Sequence, residues 1–174
     1  MGKDVFFRIS GSLTPFRLIL AQAIRWKRAR LNPRILEAWK VLQQTPLSEF
    51  LESVPAHRLS LHNTYEDTVS LFDRHAVEYT CVLDEKENLL GVVTRNELFA
   101  AFELGKGPAT KVQEFMRSDP IVITPDQTPW AIAELMHKHD LDWLPVVENK
   151  ETRHLIGIVR SERMLRRLLS HSRM

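Results

Sequence analysis

The residues with the most suitable chemistry for binding a ligand are Thr94 and Glu97, which follow an aliphatic segment around Gly91. Leu89 to Val93 has the β-branched and aliphatic residues of a buried strand, and Thr94 with Glu97 has the spacing of a helix capping box. A strand that ends at a helix N-terminus presents backbone N–H groups and a positive dipole end, which suit a phosphate. A capped strand–helix connection without a ligand has the same pattern, so both interpretations stay open.

A second copy of this segment is centred on Gly157, 66 residues after Gly91. In the copy, Arg160 replaces the threonine and Arg163 replaces the acid. Arginine has only donors, so this copy cannot accept bonds from hydroxyl groups. With Arg58, the two arginines form a candidate phosphate site, because a guanidinium group matches phosphate geometry. The alternative is that they are surface arginines paired with carboxylates. Those carboxylates are Glu78 and Glu162.

Patterns typical of enzymes and metal sites are absent from the sequence. It has neither the glycine-rich P-loop nor the Gly-x-Ser-x-Gly nucleophile motif. His137 and His139 are two residues apart, whereas ligands on one helix face are three or four apart. Cys81, the single cysteine, lies in a predicted apolar strand with no base beside it. We therefore expect no catalytic residue, no metal and no obligatory cofactor.

The elements that position these residues are repeated in the same order. Each copy predicts a short opening helix near Phe50 or Phe115, a short strand, an amphipathic helix, two strands joined by a polar turn, and a last helix. The short strands are His57–Leu61 and Ile121–Thr124, and the amphipathic helices are Tyr65–Arg74 and Pro129–Lys138. The last helix of the first copy is predicted to begin its apolar face with Leu98, Phe99, Ala100 and Phe102. A unit of about 60 residues is marginal for an independent core, so the two copies should pair their sheets.

Residues 46–170 resemble a tandem pair of CBS domains, named for cystathionine β-synthase and often called a Bateman module. The motifs that carry the resemblance are the two glycine-centred segments, Leu144-Pro145-Val146-Val147, and the Asp119-Pro120 opening of the second copy. The resemblance implies an α/β (α+β) fold of two βαββα units packed about a pseudo-twofold axis, with an N-terminal helical appendage. We expect a basic helical segment at 1–44, a first CBS domain at 45–105 and a second at 106–174.

The resemblance also implies a site, because CBS pairs bind adenine nucleotides in clefts between the paired domains. Glu97 would hold the ribose hydroxyls and Thr94 would approach the phosphate or the ribose, as their acceptor and donor chemistry allows. The residues that would bracket the base are Ile121, Val122, Ile123, Leu141 and Trp143. Two departures are that Glu97 is one methylene longer than the usual aspartate and that Asp142 would repel a phosphate. The second cleft would offer Arg58, Arg160 and Arg163 to phosphates.

The basic character of the chain is concentrated at its start. Residues 1–36 contain eight lysines and arginines against one acidic residue, whereas the whole chain carries a net charge of +2. Apolar residues recur at helical spacing from Phe16, and a second helix is predicted from Pro33 to Gln44. These helices could pack on the module or on a second copy, or lie on an anionic membrane surface. Nucleic acid is disfavoured as a partner, because no nucleic-acid-reading motif accompanies the charge.

The sequence therefore favours a non-catalytic regulatory module that senses AMP, ADP, ATP or S-adenosylmethionine and passes the change to a partner. We expect a homodimer, since CBS pairs commonly dimerise. The alternative is a dimerisation or regulatory cytosolic tail of a channel or transporter that binds no nucleotide. No apolar run reaches the length of a membrane span. With its single cysteine, the chain is expected in the cytoplasm, or at the inner face of the membrane if the basic helix binds there.

Overall fold

The computed structural model describes residues 40–171. The described chain begins with helical residues at 40–44. The predicted basic helix from Phe16, and the larger part of the predicted helix from Pro33, lie outside the described residues.

Mixed helices and strands follow in the order that the repeat predicts, which confirms the α/β class. The strands within residues 40–171 are β1 (Leu51–Glu52), β2 (Tyr79–Leu83), β3 (Leu89–Thr94), β4 (Trp143–Val147) and β5 (Leu155–Arg160). The α-helices are α1 (Tyr65–His75), α2 (Arg95–Glu103), α3 (Pro129–His139) and α4 (Ser161–His171). Two 3₁₀ helices, Leu47–Glu49 and Val112–Glu114, are the predicted opening helices, and each is followed directly by its phenylalanine.

The helix boundaries follow from capping residues. The side chain of Thr64 accepts a hydrogen bond from the backbone N–H of Asp67 at the start of α1, and Thr128 does the same for Ala131 at the start of α3. Both helices end at a residue in the left-handed region, Ala76 (φ 49°) and Asp140 (φ 58°). The predicted amphipathic helices are therefore confirmed, and each is one residue longer than predicted.

The two short strands predicted before these helices are wrong in length, because each shrinks to a single bridge. Leu59 pairs in parallel with Val82, and Ile123 pairs in parallel with Val146. The next residue leaves the sheet in both copies, since the N–H of Ser60 donates to Asn63 Oδ1 and that of Thr124 donates to Gln127 Oε1. These side-chain bonds form local turns, and such turns compete with strand pairing.

The opening segment of each copy pairs with the last strand of the other copy. β1 pairs antiparallel with β5, with Leu51 opposite Val159. Arg117, from the opening of the second copy, forms an antiparallel bridge with Val92 of β3. The sheets are a two-stranded β2–β3 hairpin and a three-stranded sheet in the order β1-β5-β4. The two copies thus exchange short backbone segments, since each one supplies its opening segment to the last strand of the other.

This exchange explains the repeated glycine. A Cβ atom on Gly91 would lie 2.8 Å from the carbonyl oxygen of Arg117, and one on Gly157 would lie 2.3 Å from the carbonyl oxygen of Glu52. Both distances are shorter than real Cβ contacts, so any side chain would push the crossing segment away.

The described residues group into two compact units. One contains residues 51–127 and 144–159, and its core includes Leu59, Phe72, Val82, Val93 and Val112. The other contains, among the described residues, 40–50, 128–143 and 160–171. In this second unit α3 packs against α4.

Of the four residues predicted to begin the apolar face of α2, Leu98 lies on the packed side, whereas Phe99, Ala100 and Phe102 are exposed. Leu98 is partly buried and Ala101 is buried, which places the packed side of the helix on that i, i+3 row. Phe99 and Phe102 instead lie on the exposed side, with 62% and 69% of their surface accessible, and Leu104 after the helix is 77% accessible.

Candidate functional site

The candidate site is built at the connection between β3 and α2. Thr94 is the last residue of β3 and the N-cap of α2, and its backbone is extended there. Its hydroxyl oxygen accepts a hydrogen bond from the N–H of Asn96 at 3.2 Å. Glu97 Oε2 accepts bonds from the N–H of Thr94 at 2.9 Å and from the Thr94 hydroxyl. The predicted capping box is therefore confirmed.

The sequence analysis did not identify a third member of the site, Arg117. Its Nε and Nη2 atoms both donate to Glu97 Oε1, at 3.1 and 2.6 Å. The backbone of Arg117 is fixed on β3, since its N–H donates to the carbonyl of Val92 at 2.9 Å and its carbonyl accepts from the N–H of Val92 at 3.1 Å. The sequence feature that could have indicated Arg117 is Gly91, because the absence of a side chain there makes room for the Arg117 backbone.

Glu97 is largely covered and ionised. Its side chain is 12% exposed, whereas that of Arg117 is 49% exposed. Burial by itself raises the pKa of Glu97, but the hydrogen bonds from Thr94 and Arg117 outweigh burial and hold the pKa below its ordinary value. The site therefore presents a fixed negative charge at the start of α2, with a half-exposed guanidinium over it.

The other residues predicted to line this site occupy both compact units. Ile121 and Val122 are half-buried, and they belong with Thr94 and Glu97 to the unit of residues 51–127 and 144–159. Ile123 in the same unit is fully buried, its N–H donates to the carbonyl of Pro145, and its carbonyl accepts from Val147. Its side chain is thus packed in the core, and its backbone N–H and carbonyl groups are both hydrogen-bonded within the protein.

Leu141 and Trp143 belong to the other compact unit, and both are half-buried. Between them, the carbonyl of Asp142 accepts a bond from the N–H of Ser161 at 2.8 Å, and its Oδ1 accepts from the Ser161 hydroxyl at 3.3 Å. Asp142 therefore ties the segment before β4 to the start of α4. The gathering of these residues around one ligand stays a prediction.

The arginines of the second predicted site each have partners. Arg58 forms an ion pair with Glu87 at 2.9 Å, and both side chains are about half exposed. Arg163 Nε donates to the carbonyl of Glu49 at 3.1 Å, while the Glu49 carboxylate pairs with Arg167 at 2.7 Å. Arg160 is exposed. A phosphate at this second site stays a prediction.

The alternative interpretation pairs these surface arginines with Glu78 and Glu162. Its support is a weak charge interaction between Arg160 and Glu162. Glu162 pairs with Arg166, one helical turn later. The hydrogen bond from Arg166 and, more weakly, the charge of Arg160 hold the pKa of Glu162 below its ordinary value.

Cys81 is buried in β2, and burial raises the pKa of its thiol to about 12. The thiolate is therefore not formed at neutral pH, and Cys81 is not a candidate nucleophile. Within residues 40–171, no group of three or more histidine, cysteine, aspartate or glutamate side chains is arranged to hold a metal ion. In the same range, the helices are too short or too polar to span a membrane.

Comparison with known proteins places these features in a family. The CBS domain family model matches residues 51–104 and 112–170. The chain is 28% identical over 104 residues to inosine-5'-monophosphate dehydrogenase of Halobacterium salinarum, covering 60% of this chain and 20% of that protein. It is 30% identical over 100 residues to the uncharacterized protein YlbB of Bacillus subtilis, covering 57% and 66% of the two chains.

A third relative is the magnesium transporter MgtE of Thermus thermophilus, which is 34% identical over 87 residues, covering 50% of this chain and 18% of the transporter. The chain thus spans about a fifth of the dehydrogenase and of the transporter, and about two thirds of YlbB.

Solved structures have the same fold. AcuB from Vibrio cholerae is 25% identical, with a TM-score of 0.64 that covers 75% of this chain and 98% of that one. The CBS domain pair of MJ0100, solved with 5'-methylthioadenosine and S-adenosyl-L-methionine, is 23% identical with a TM-score of 0.58 over 75% and 98% of the chains. CBSX2, solved with AMP, is 23% identical with a TM-score of 0.62 over 73% and 98%. Because the family model matches two consecutive segments that make up more than half of the chain, this protein belongs to the CBS domain family and contains a tandem CBS domain pair.

Proposed function

We propose that this CBS pair, a regulatory module, senses an adenine nucleotide or a related adenosyl ligand and passes the change to a partner. The observation that carries the proposal is the ionised Glu97 carboxylate, held by Thr94 at the N-terminus of α2. We propose no catalytic role, and we keep the division into 1–44, 45–105 and 106–174 as the domain boundaries.

The chemistry of the connection matches the parts of a nucleotide. A carboxylate accepts hydrogen bonds from the two ribose hydroxyls. The N-terminus of α2 favours the negative charge of a phosphate. Support also comes from the relatives solved with AMP and with S-adenosyl-L-methionine, which combine the same fold with adenosyl ligands.

The regulatory step needs two arrangements of the module with different affinities for the ligand. A ligand shifts such an equilibrium only by the difference between its two binding free energies. Hydrogen bonds to Glu97 that form in only one of the two arrangements would provide that difference.

The direct test is thermal unfolding of the full chain with AMP, ADP, ATP or S-adenosylmethionine, each at about 1 mM. A ligand at roughly 100 times its dissociation constant adds about 2.7 kcal/mol to the free energy of unfolding. For a domain of this size, we expect Tm to rise by several degrees with at least one ligand.

The matched variants are Glu97→Gln and Glu103→Gln, which remove one carboxylate each from α2. Glu103 is exposed at the end of the helix opposite to Thr94. The ligand-induced shift should disappear in Glu97→Gln and persist in Glu103→Gln. A shift that survives Glu97→Gln but is lost in Arg160→Met would move the site to the second glycine-centred segment.

A second candidate function is a dimerisation platform, acting as the regulatory tail of a transporter or channel without binding nucleotide. The observation that favours it is the exposed apolar surface of Phe99, Phe102 and Leu104. A large exposed apolar patch is typical of an interaction site. The similarity to part of the magnesium transporter MgtE supports a membrane-protein partner. The basic segment 1–36 would then contact the anionic inner face of the membrane.

The two candidates differ in their ligand response. A platform predicts a homodimer, no change of Tm with any of the four ligands, and pelleting with vesicles that contain anionic lipid. A sensor predicts the change of Tm described above. Vesicles of neutral lipid are the control, since they lack the charge that would attract the basic segment.

A further inference from the structure

All acceptor positions of the Glu97 carboxylate are filled. Oε2 accepts from the backbone N–H and the hydroxyl of Thr94, and Oε1 accepts from two nitrogen atoms of Arg117. A carboxylate offers about four lone-pair positions to donors. A ribose hydroxyl can therefore bind Glu97 only where one of these donors leaves.

The two sets of donors differ in how easily they leave. The Thr94 bonds belong to the capping box, so their loss would loosen the start of α2. The Arg117 side chain is half exposed, whereas its backbone is bonded to Val92 on both sides. Its guanidinium can therefore rotate into solvent while β3 and α2 stay in place. Oε1 is the oxygen that a ligand can reach.

Release of Arg117 has a different cost for different ligands. A neutral nucleoside replaces two hydrogen bonds from the charged guanidinium by weaker hydrogen bonds from uncharged hydroxyl groups, and it leaves the guanidinium without its carboxylate. A phosphate at the N-terminus of α2 would lie at the same helical turn as Glu97. The released guanidinium could then bind this phosphate through its planar pair of donors.

We propose that Arg117 is a specificity-determining residue that covers Glu97 and makes the site selective for ribose ligands that carry a phosphate. The inference rests on the proposed nucleotide function and names the class of ligand that the site prefers. Ligands with a phosphate are favoured because the Arg117 guanidinium can move from the Glu97 carboxylate to the phosphate.

The test compares AMP with adenosine, which differ only by the phosphate group. Dissociation constants are measured by isothermal titration calorimetry for the wild type, Arg117→Met and Arg74→Met at one ionic strength. Arg74 is exposed in the last turn of α1, so its variant removes the same charge away from Glu97.

In Arg117→Met, we expect adenosine to bind at least about tenfold more tightly than in the wild type, because Oε1 is open. The preference for AMP over adenosine should fall at least about tenfold in the same variant and stay unchanged in Arg74→Met. Arg117→Lys keeps the charge and loses the planar donor pair. Its preference for AMP over adenosine should lie between those of the wild type and Arg117→Met. Circular dichroism of each variant checks that the fold is intact, and the lysine variant serves if the methionine variant unfolds.

The outcomes separate this inference from the proposed function. An unchanged AMP preference in Arg117→Met and Arg117→Lys, with binding lost in Glu97→Gln, would overturn the role of Arg117 and leave the nucleotide function standing. Adenosine binding that appears only in the Arg117 variants would support the proposal that Arg117 covers the Glu97 carboxylate. If neither ligand binds the wild type or the Arg117 variants, both proposals fail.

Discussion

The Glu97 carboxylate serves the helix start and the candidate site with the same two oxygen atoms. Oε2 completes the capping box with Thr94, and Oε1 pairs with Arg117. Ligand binding at this residue is therefore coupled to local stability, because any ligand must take a donor position that already stabilises the fold.

Replacing Glu97 should make stability less dependent on pH. The pKa of Glu97 in the folded protein lies below its ordinary value of 4.5, so the unfolded chain takes up its proton first as pH falls. The stabilisation is thus complete well above pH 4.5 and is lost as pH falls through the folded pKa. At pH 7 we expect Glu97→Gln to lower the free energy of unfolding by about 1.5 kcal/mol, since Arg117 is half exposed.

Urea denaturation at pH 7 and at successively lower pH measures this effect. The difference between wild type and Glu97→Gln should shrink on acidification, and Glu103→Gln should follow the wild type. A difference that stays constant with pH would contradict the ionised, hydrogen-bonded state of Glu97.

The contact between Thr94 and Glu97 could be predicted from sequence, because residues three apart at a helix start meet by local geometry. The contact with Arg117 could not, since it spans 20 residues of chain. It depends on where the second opening segment crosses β3. The same limit applies to Arg163, whose bond to the Glu49 carbonyl spans 114 residues.

At the scale of the elements, glycine is required where a crossing backbone meets the middle of a strand. The repeated glycine was visible in the sequence, but its cause was a contact with the other copy. The predicted short strands failed for a related reason. Apolar alternation predicts strand length, whereas the side chains of Asn63 and Gln127 end the pairing after one residue.

Alanine at the two strand glycines should destabilise the protein by about 1–3 kcal/mol, the usual cost of overpacking a buried site. We expect the larger loss for Gly157→Ala, because its Cβ would lie 2.3 Å from a backbone oxygen. In Gly91→Ala the closest backbone oxygen is at 2.8 Å, and the other close atom is the flexible side chain of Met116.

Gly107→Ala is the control for these variants, since its Cβ would meet no atom within 4 Å. Its free energy of unfolding, measured by urea denaturation, should stay within about 0.5 kcal/mol of the wild type. Equal losses at all three positions would show that the cost does not come from the crossing segments.

At the scale of the whole molecule, equivalent residues of the two copies have different surroundings. Phe99 and Phe102 are exposed on α2, whereas Leu165 and Leu168 at the corresponding positions of α4 are buried. All four are apolar, so sequence alone predicts the same burial for both helices. The neighbours of each helix decide which one is covered, and periodicity carries no information about them.

If α2 contributes to a homodimer, the double variant Phe99→Ser and Phe102→Ser should weaken self-association. A symmetric interface would lose both side chains twice, and each buried phenylalanine contributes about 1.5–3 kcal/mol. We expect the dimer dissociation constant to rise at least about a hundredfold, as measured by sedimentation equilibrium.

Leu61→Ser is the matched control, because Leu61 is also an exposed apolar residue but lies outside α2. Its dissociation constant should equal that of the wild type. A dimer that is unaffected by the double variant would place the interface elsewhere and leave the exposed surface of α2 for another partner.

The pairing of β1 with β5, and of Arg117 with β3, has a consequence for assembly. A single copy on its own chain would find its missing segment only on a second molecule, so its completion would depend on protein concentration. Two copies on one chain turn this encounter into an intramolecular one, with the effective concentration set by the connecting residues. Dilution cannot separate two copies that are joined in one chain. The pairing of the copies is therefore independent of protein concentration.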